Sequence, residues 1–265
     1  MGPRGLFITG TDTGVGKTRV ASALARCLRQ TGRRVGVLKP VTSGAERRGE
    51  VLIPSDALLL LDAIDREAPR EAVAPLIFEA GVAPAVAAIL AGEPLRFEQV
   101  ESAAHTAIAW WRERCEVLIV EGTGGLLTPI AQNATVADLA VALGFPLLIV
   151  ARRSLGTLNH TLLTVEAARS RGLSIAGLVF NEVEPNQIAA AEGEALDDLI
   201  PRLEGVPILG RLSYRDDPTT LSVAVRFVEW YDVAAESRAH AFGADVADEL
   251  RTGSVSSGRA RQVNT

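Results

Sequence analysis

Residues 10–18 contain the residue types best suited to do chemistry, and they read Gly-Thr-Asp-Thr-Gly-Val-Gly-Lys-Thr. This glycine-rich turn follows a short apolar run, Leu6–Ile8, and precedes a stretch with helical periodicity. In that context backbone N–H groups and a helix N-terminus face an anion, Lys17 can reach terminal phosphates, and the Thr18 hydroxyl can ligate Mg²⁺. The sequence therefore predicts a nucleoside triphosphate site. The loop residues nearest the phosphates are Gly14, Val15 and Gly16.

The spacing of this loop leaves two other interpretations. Gly10 and Gly16 stand one residue further apart than in the usual phosphate-loop pattern. A plain strand-to-helix turn, whose glycines only relieve backbone strain, would leave the pair Lys17 and Thr18 unexplained. A dinucleotide-binding fingerprint also begins with such glycines, but its third glycine position is Arg19 here.

Charged and polar residues stand at the ends of the predicted strands. Lys39 precedes Pro-Val-Thr-Ser-Gly, Glu121 precedes Gly-Thr-Gly-Gly, and Asn181 follows a further apolar run. Because the carboxyl ends of parallel strands open onto one crevice, we expect these residues to meet the phosphate loop there. Two lysines and a carboxylate suit a triphosphate–magnesium centre, in which cations offset charge on a transferred phosphoryl group and the acid holds the metal.

Each of these assignments has a structural alternative. Lys39 could be a solvated strand end and Glu121 a surface charge. The small residues after Glu121, which include Gly122 and Gly124, let the backbone approach a ligand closely and favour a functional role. Asp56 lies at a predicted helix start, where the helix dipole favours an acid without any ligand, but Mg²⁺ also prefers carboxylate oxygens. The predicted metal ligands are Thr18, Asp56 and Glu121.

Apolar runs and helical patterns alternate along the chain, which predicts strand–helix–strand units. The sequence therefore predicts an α/β fold with a doubly wound, mostly parallel sheet flanked by helices, of the phosphate-loop NTPase type. Strands are predicted near residues 5–9, 34–39, 116–121, 146–151, 175–180 and 206–209. Helices are predicted near residues 17–30, 55–65, 83–91, 98–113, 135–143, 157–171, 186–203, 221–229 and 232–249. The predicted N-caps are Ser55 and Thr135.

Composition limits the number of domains that the chain can form and the classes of partner that it can bind. With 265 residues, of which 48% are hydrophobic, a single domain over residues 1–250 is expected. Residues 251–265 have too little apolar content to offset their ordering entropy, which predicts a disordered tail. The formal net charge is −5, and this tail holds three arginines and no acid, so the rest is more acidic still. Such a surface argues against nucleic acid as a partner.

The sequence gives no sign of a membrane or a secreted protein. No apolar run approaches the ~20 residues needed to cross a bilayer, and the first residues pass into a strand without a signal-peptide pattern. Cys27 and Cys115 are isolated and the three histidines are scattered, so neither a disulfide nor a zinc site is expected. We expect a cytoplasmic protein.

Four separated stretches carry a family resemblance: residues 10–18, Lys39–Gly44, Glu121–Leu127 and Leu155–His160. Together they resemble the motifs of the ATP-dependent dethiobiotin synthetases, a family that uses the same longer spacing in its phosphate loop. The similarity extends over roughly residues 5–210. It implies a reaction in which 7,8-diaminopelargonic acid and CO₂ form a carbamate, ATP phosphorylates it, and a cyclic urea closes. It also implies Mg²⁺ as cofactor, with no covalent enzyme intermediate.

The resemblance implies a role for each matching position. The three predicted metal ligands match the magnesium ligands of the family. Lys17 and Lys39 match lysines that contact phosphate and carbamate. Thr13 and Ser43 match hydroxyl positions beside the substrate, and Asn181 matches an asparagine that reads adenine.

The resemblance further implies a homodimer with shared active sites. In the family the substrate carboxylate is held across the interface, and Ala80–Ala85 aligns with a loop on the substrate side. Position 14, often Glu in the family, is Gly here, and Leu209–Ser213 lacks an expected proline near the base, which leaves base preference open. The helix start that holds the carboxylate corresponds to Gly156, Thr157, Leu158 and Asn159.

Two other classes of protein share the opening motif. The cobyrinic acid amidases add a glutamine-hydrolysing domain with a reactive cysteine, and the residues after position 210 contain no cysteine. ATP-switched partitioning or positioning proteins, which dimerise and recruit partners, usually carry a second lysine early in the phosphate loop, whereas residues 10–16 contain none. An ATPase that responds to a partner is the alternative function.

Overall fold

The computed structural model describes residues 3–184, 200–203, 205–214 and 230–234. Its strands are β1 (Arg4–Gly10), β2 (Val35–Leu38), β3 (Val41–Thr42), β4 (Glu46–Arg48), β5 (Val51–Ile53), β6 (Leu76–Ile77), β7 (Val117–Glu121), β8 (Pro129–Ala131), β9 (Ala134–Thr135), β10 (Leu147–Arg152), β11 (Ile175–Asn181) and β12 (Ile208–Leu212). Its α-helices are α1 (Lys17–Gln30), α2 (Ser55–Ala63), α3 (Arg70–Val73), α4 (Pro84–Leu90), α5 (Phe97–Trp111), α6 (Val136–Leu143), α7 (Thr157–Arg169) and α8 (Trp230–Val233). Ile200–Leu203 forms a 3₁₀ turn.

Six of these strands form the central sheet, in the order β12-β11-β10-β1-β7-β2, and every neighbouring pair is parallel. Strand β1 lies inside the sheet, and the chain next forms β2 at one edge and then β7 between β1 and β2. It then passes β1 and forms β10, β11 and β12 in order toward the other edge. The two directions of winding part at β1. In open α/β sheets ligands bind at such a switch point, outside the carboxyl ends of the strands. The predicted fold class is confirmed.

The core lies on both faces of this sheet. Leu6, Phe7 and Ile8 in β1 have no exposed surface, and β7 is buried along its whole length. A sheet covered by helices on both faces has no polar side, which explains why its strands are continuous apolar runs rather than alternating ones. Helix α1 packs Val20 and Leu24 into the same core, directly after the phosphate loop.

The predicted strands and helices of the described region match the observed ones to within a few residues, but one predicted cap is wrong. Helix α2 begins at Ser55 itself, and its N-cap is Pro54, which has no side-chain donor or acceptor. The other predicted cap is confirmed. Thr135 forms a capping box with Asp138, whose Oδ2 accepts from the backbone N of Thr135 at 2.6 Å.

Short elements were not predicted, because two to four residues carry no periodicity. They are the parallel pair β3 and β6, the hairpin of β4 and β5, the hairpin of β8 and β9, and helix α3. Most of the predicted helices at 186–203, 221–229 and 232–249, and the predicted tail at 251–265, lie outside the described residues. No helix of the described residues is long and apolar enough to cross a membrane.

Candidate active site

A cavity of about 610 Å³ opens at the carboxyl ends of β1, β2 and β7. It brings together most of the residues that the sequence singled out, from three of the four motif stretches and from Asp56. The turn at Gly81, Val82 and Ala83 lines it as well. The predicted site residues that line it are Thr13, Gly14, Gly16, Lys17, Thr18, Lys39, Ser43, Asp56, Glu121 and Gly124.

The phosphate loop forms one wall of this cavity. Gly14 and Gly16 have φ values of +73° and +90°, which side chains rarely allow, and Gly16 is the N-cap of α1 without any side-chain cap. The first N–H groups of α1 are therefore available to an anion. Val15 is fully buried and anchors the loop from behind.

Lys17 is buried beside the cavity and is 7% exposed. Its Nζ donates to the carbonyl oxygen of Asp12 at 3.2 Å. Burial lowers the pKa of Lys17 to about 8; the negative charge of Glu121 opposes this shift and the positive charge of Lys39 adds to it. A polyphosphate bound in the cavity would place negative charge beside this ammonium group and stabilise its protonated form.

Glu121 is the centre of a polar cluster beside the end of the phosphate loop. Its side chain has no exposed surface, and Oε1 accepts hydrogen bonds from Lys39 Nζ and from Thr18 Oγ1, each at 2.8 Å. Lys39 also donates to Oδ2 of Asp56. Burial by itself would lower the pKa of Lys39, but Glu121 and Asp56 outweigh it and raise that pKa. The cluster therefore holds a charged ammonium group between two carboxylates.

The second carboxylate oxygen of Glu121 fits a metal ligand. Oε2 is buried and has no hydrogen-bond partner, although buried polar atoms are nearly always paired. The Thr18 hydroxyl and the half-exposed Asp56 carboxylate lie at the same cavity, so all three donors are oxygens, the ligands that Mg²⁺ prefers. No group of three or more His, Cys, Asp or Glu side chains that could hold a metal ion occurs among the described residues.

Comparison with known proteins identifies the family. A family model described as an AAA domain matches residues 4–220. The ATP-dependent dethiobiotin synthetase BioD of Anaeromyxobacter dehalogenans is 47% identical over 213 residues, which cover 80% of this chain and 87% of that protein. The chain belongs to the dethiobiotin synthetase family. BioD of Bacillus subtilis is 41% identical over 210 residues, covering 78% and 86%, and BioD of Thermodesulfovibrio yellowstonii is 33% identical over 238 residues, covering 87% and 97%.

The family resemblance drawn from the four motifs is thereby confirmed. These relatives are named as synthetases, so they do not favour the alternative of a partitioning-type ATPase.

In this synthetase-family chain the turn after Glu121 contributes two further residues to the cavity that the sequence did not predict. Thr123 and Thr128 both line the cavity. The Thr128 hydroxyl accepts from the backbone N of Gly125 at 2.8 Å, and a Cβ at Gly124 would lie 2.3 Å from that oxygen. The sequence could have indicated both residues, because their hydroxyls belong to the turn that contains Gly122 and Gly124. Gly122 itself does not line the cavity, because it packs against Val136 and Phe7.

The other predicted substrate residues lie elsewhere in the chain. Gly156 is the N-cap of α7, with a φ of +91°, and neither it nor the next three residues line the cavity. Thr157 is buried and its Oγ1 has no hydrogen-bond partner, whereas Asn159 is exposed. Leu155, just before this helix start, is 93% exposed. In this structure the start of α7 therefore does not line the cavity.

Asn181 also stays outside the cavity. It ends β11 with no exposed surface. Its Nδ2 donates to the carbonyl oxygen of Val15 at 2.9 Å, and its Oδ1 accepts from Arg19 at 3.0 Å. The predicted nucleotide-binding asparagine thus contacts the phosphate loop.

Proposed function

We propose that the protein makes dethiobiotin from 7,8-diaminopelargonic acid, CO₂ and ATP. Membership of the dethiobiotin synthetase family supports the reaction. The structural observation that carries the proposal is the cluster of Lys17, Thr18, Lys39 and Glu121 around one cavity, with a buried carboxylate oxygen left without a partner. Such a site can position the reactants and stabilise charge, which is what this chemistry needs.

The reaction balances without any covalent bond to the protein. The nitrogen of one amine of the diamine forms a bond to the carbon of CO₂ and loses a proton, which gives a carbamate. A carbamate oxygen then forms a bond to the γ-phosphorus of ATP, and ADP leaves. The second amine attacks the carbonyl carbon, phosphate leaves with the electron pair of the broken C–O bond, and the attacking nitrogen loses a proton.

Three oxygens of the chain would hold Mg²⁺ in the proposed site: the Thr18 hydroxyl and the carboxylates of Asp56 and Glu121. Bound there, the ion would offset charge on the phosphoryl group that is transferred. Lys17 would contact the terminal phosphates from the loop side of the cavity. Lys39 reaches the same region from β2, so we assign it to the carbamate and to the oxygen charge that develops on it.

Other cavity residues would place the diamine. The hydroxyls of Thr13 and Ser43 lie on the cavity wall and can accept from its amines or donate to the carbamate. The segment Gly81–Ala83, in which Gly81 and Val82 are exposed, lines the same cavity. ATP is the co-substrate, and we assign to Gly124, which lines the cavity, a close approach of the backbone to its phosphates.

We further propose that the active site is completed in a homodimer. Helix α7 has its N-terminus capped only by Gly156, and the buried hydroxyl of Thr157 there lacks a partner. Free N–H groups at a helix start suit a carboxylate, so the substrate carboxylate would bind residues 156–159 of a second subunit. The exposed Leu155 and Leu127 are apolar surface that such an interface could cover. We place this small-molecule synthesis in the cytoplasm.

The test of the function supplies purified protein with 7,8-diaminopelargonic acid, bicarbonate and Mg-ATP, and looks for the cyclic urea by mass spectrometry. Phosphate release is measured in parallel, with the diamine or the bicarbonate left out in turn. The ligase releases phosphate only when both are present. Phosphate release that depends on neither the diamine nor the bicarbonate, with no cyclic urea formed, would refute the proposal and favour an ATP-driven switch.

A further inference from the structure

The side-chain amide of Asn181 has a fixed orientation in the fold. An arginine side chain can only donate hydrogen bonds and a backbone carbonyl can only accept them. The amide atom that faces Arg19 must therefore be the oxygen, and the atom that faces the Val15 carbonyl must be the nitrogen. Both ends of this buried amide are thus committed to neighbouring protein groups.

Arg19 joins this amide to two further segments. It lies in the first turn of α1, two residues after Lys17. Its guanidinium group also donates to the carbonyl oxygen of Glu182 at 3.3 Å and to that of Ser213 at 2.9 Å. The start of α1 is thereby connected to the chain that follows β11 and to the chain that follows β12.

Asn181 touches the phosphate loop at its tightest point. A Cβ added at Gly16 would lie 2.1 Å from Asn181 Nδ2, so only glycine leaves room for the amide. The carbonyl of Val15 and the N–H of Gly16 belong to one planar trans peptide and point in opposite directions. Because the carbonyl is held on Asn181, outside the cavity, the N–H of Gly16 is turned toward the cavity side.

We propose that Asn181 and Arg19 are positioning residues that hold the phosphate loop in its anion-binding shape before the nucleotide arrives. A loop ordered in advance binds more tightly, because the cost of ordering it no longer reduces the binding free energy. Asn181 then strengthens the binding of the polyphosphate itself, whatever base is attached. The inference rests on the proposed nucleotide site, but not on the ring-closing reaction.

The test measures the affinity of the full-length protein for two probes, Mg-ATP and Mg-tripolyphosphate, by isothermal titration calorimetry. Asn181→Asp keeps the size of the side chain but removes the donor to the Val15 carbonyl. This variant is expected to bind both probes more weakly by the same factor, about tenfold or more. Arg19→Leu is expected to reduce both affinities by a smaller common factor, and Arg19→Lys is expected to restore part of that lost affinity. Arg26→Leu, two turns further along α1, is the matched control and leaves both affinities unchanged.

Two results would overturn the proposal. If Asn181→Asp weakens ATP and leaves tripolyphosphate unchanged, Asn181 acts on the base and not through the loop. If the wild-type protein has no measurable affinity for tripolyphosphate, the loop is not preformed. Neither probe experiment needs the diamine, so a failure to make the cyclic urea would defeat the proposed function and leave this inference standing.

Hydrogen exchange in the ligand-free protein separates a loop effect from general unfolding. The amides of residues 13–16 are expected to exchange faster in Asn181→Asp and in Arg19→Leu, while those of β7 keep the wild-type rate. Unchanged exchange in the loop of both variants would overturn the proposal. If Asn181→Asp does not fold, the pair Arg19→Leu and Arg19→Lys decides the question by the same measurements.

Discussion

Lys39 and Glu121 are a buried ion pair made by two neighbouring parallel strands. In the register of β2 and β7, Leu38 stands opposite Val120, so the next residue of each strand lies beside the other at the edge of the sheet. Lys39 Nζ lies 2.8 Å from Glu121 Oε1, and both side chains are almost completely buried. The same oxygen accepts from Thr18, which ties the ion pair to the phosphate loop.

Replacing Lys39 by Gln is expected to lower kcat by about 100-fold or more, since it removes a cation from the charge that develops in the transition state. The Kd for Mg-ATP is expected to stay within about twofold of wild type, because Lys17 and the loop N–H groups remain in place. Steady-state kinetics and calorimetry measure the two quantities, with Arg26→Leu as the control variant. A loss of ATP affinity as large as the loss of turnover would reassign Lys39 to the nucleotide.

Replacing Lys17 by Gln is expected to affect binding and turnover together. In the proposed site its ammonium group would face the phosphates in the ground state and in the transition state, so its loss is expected to remove ~3 kcal/mol of stabilisation, or ~100-fold in turnover. Phosphate release in the presence of diamine and bicarbonate measures the rate, and calorimetry measures the Kd for Mg-ATP. Wild-type turnover in this variant would show that Lys17 has no part in phosphoryl transfer.

The two proposed carboxylate ligands are expected to contribute unequally to Mg²⁺ binding. Glu121 is fully buried and cannot be replaced by water, whereas the Asp56 side chain is 45% exposed. Glu121→Gln is therefore expected to raise the Mg²⁺ concentration needed for half-maximal rate by more than tenfold, and Asp56→Asn by less. Initial rates at fixed ATP over a range of Mg²⁺ give both values. The reverse order would mean that Asp56 is the principal ligand.

Much of the site could be predicted because each strand end is readable in the sequence. The buried strands are continuous apolar runs, so Lys39 and Glu121 stand out as the first charges after them. A parallel sheet places those ends at one edge. The sequence could not show that Asp56 meets Lys39, because that contact depends on where α2 packs and not on any local pattern.

The role of Asn181 shows the other limit of sequence reasoning. Its position at a strand end predicts that it lies near the nucleotide, but the amide turns behind the phosphate loop and bonds Val15. Arg19, which fixes that orientation, looks in the sequence like an ordinary helix residue. The Ser55 cap failed for a related reason. Helix α2 begins at Ser55 itself, one residue earlier than a Ser55 N-cap would allow, and no local pattern in the sequence marks that shift.

The capping box at the start of α6 is expected to make stability depend on pH. Burial alone would raise the pKa of Asp138, but hydrogen bonds from the Thr135 hydroxyl and backbone N–H outweigh it and lower that pKa. A carboxyl whose pKa is lower in the folded state stabilises the fold above its ordinary pKa, and this contribution is lost as pH falls through the folded value. Asp138→Asn is therefore expected to reduce the unfolding free energy by about 1 kcal/mol at pH 7 and by less at strongly acidic pH. Urea denaturation at both pH values measures the difference, with Glu93→Gln in an exposed turn as the control. A deficit in Asp138→Asn that stays constant across this range would mean that the charge of Asp138 does not support the helix start.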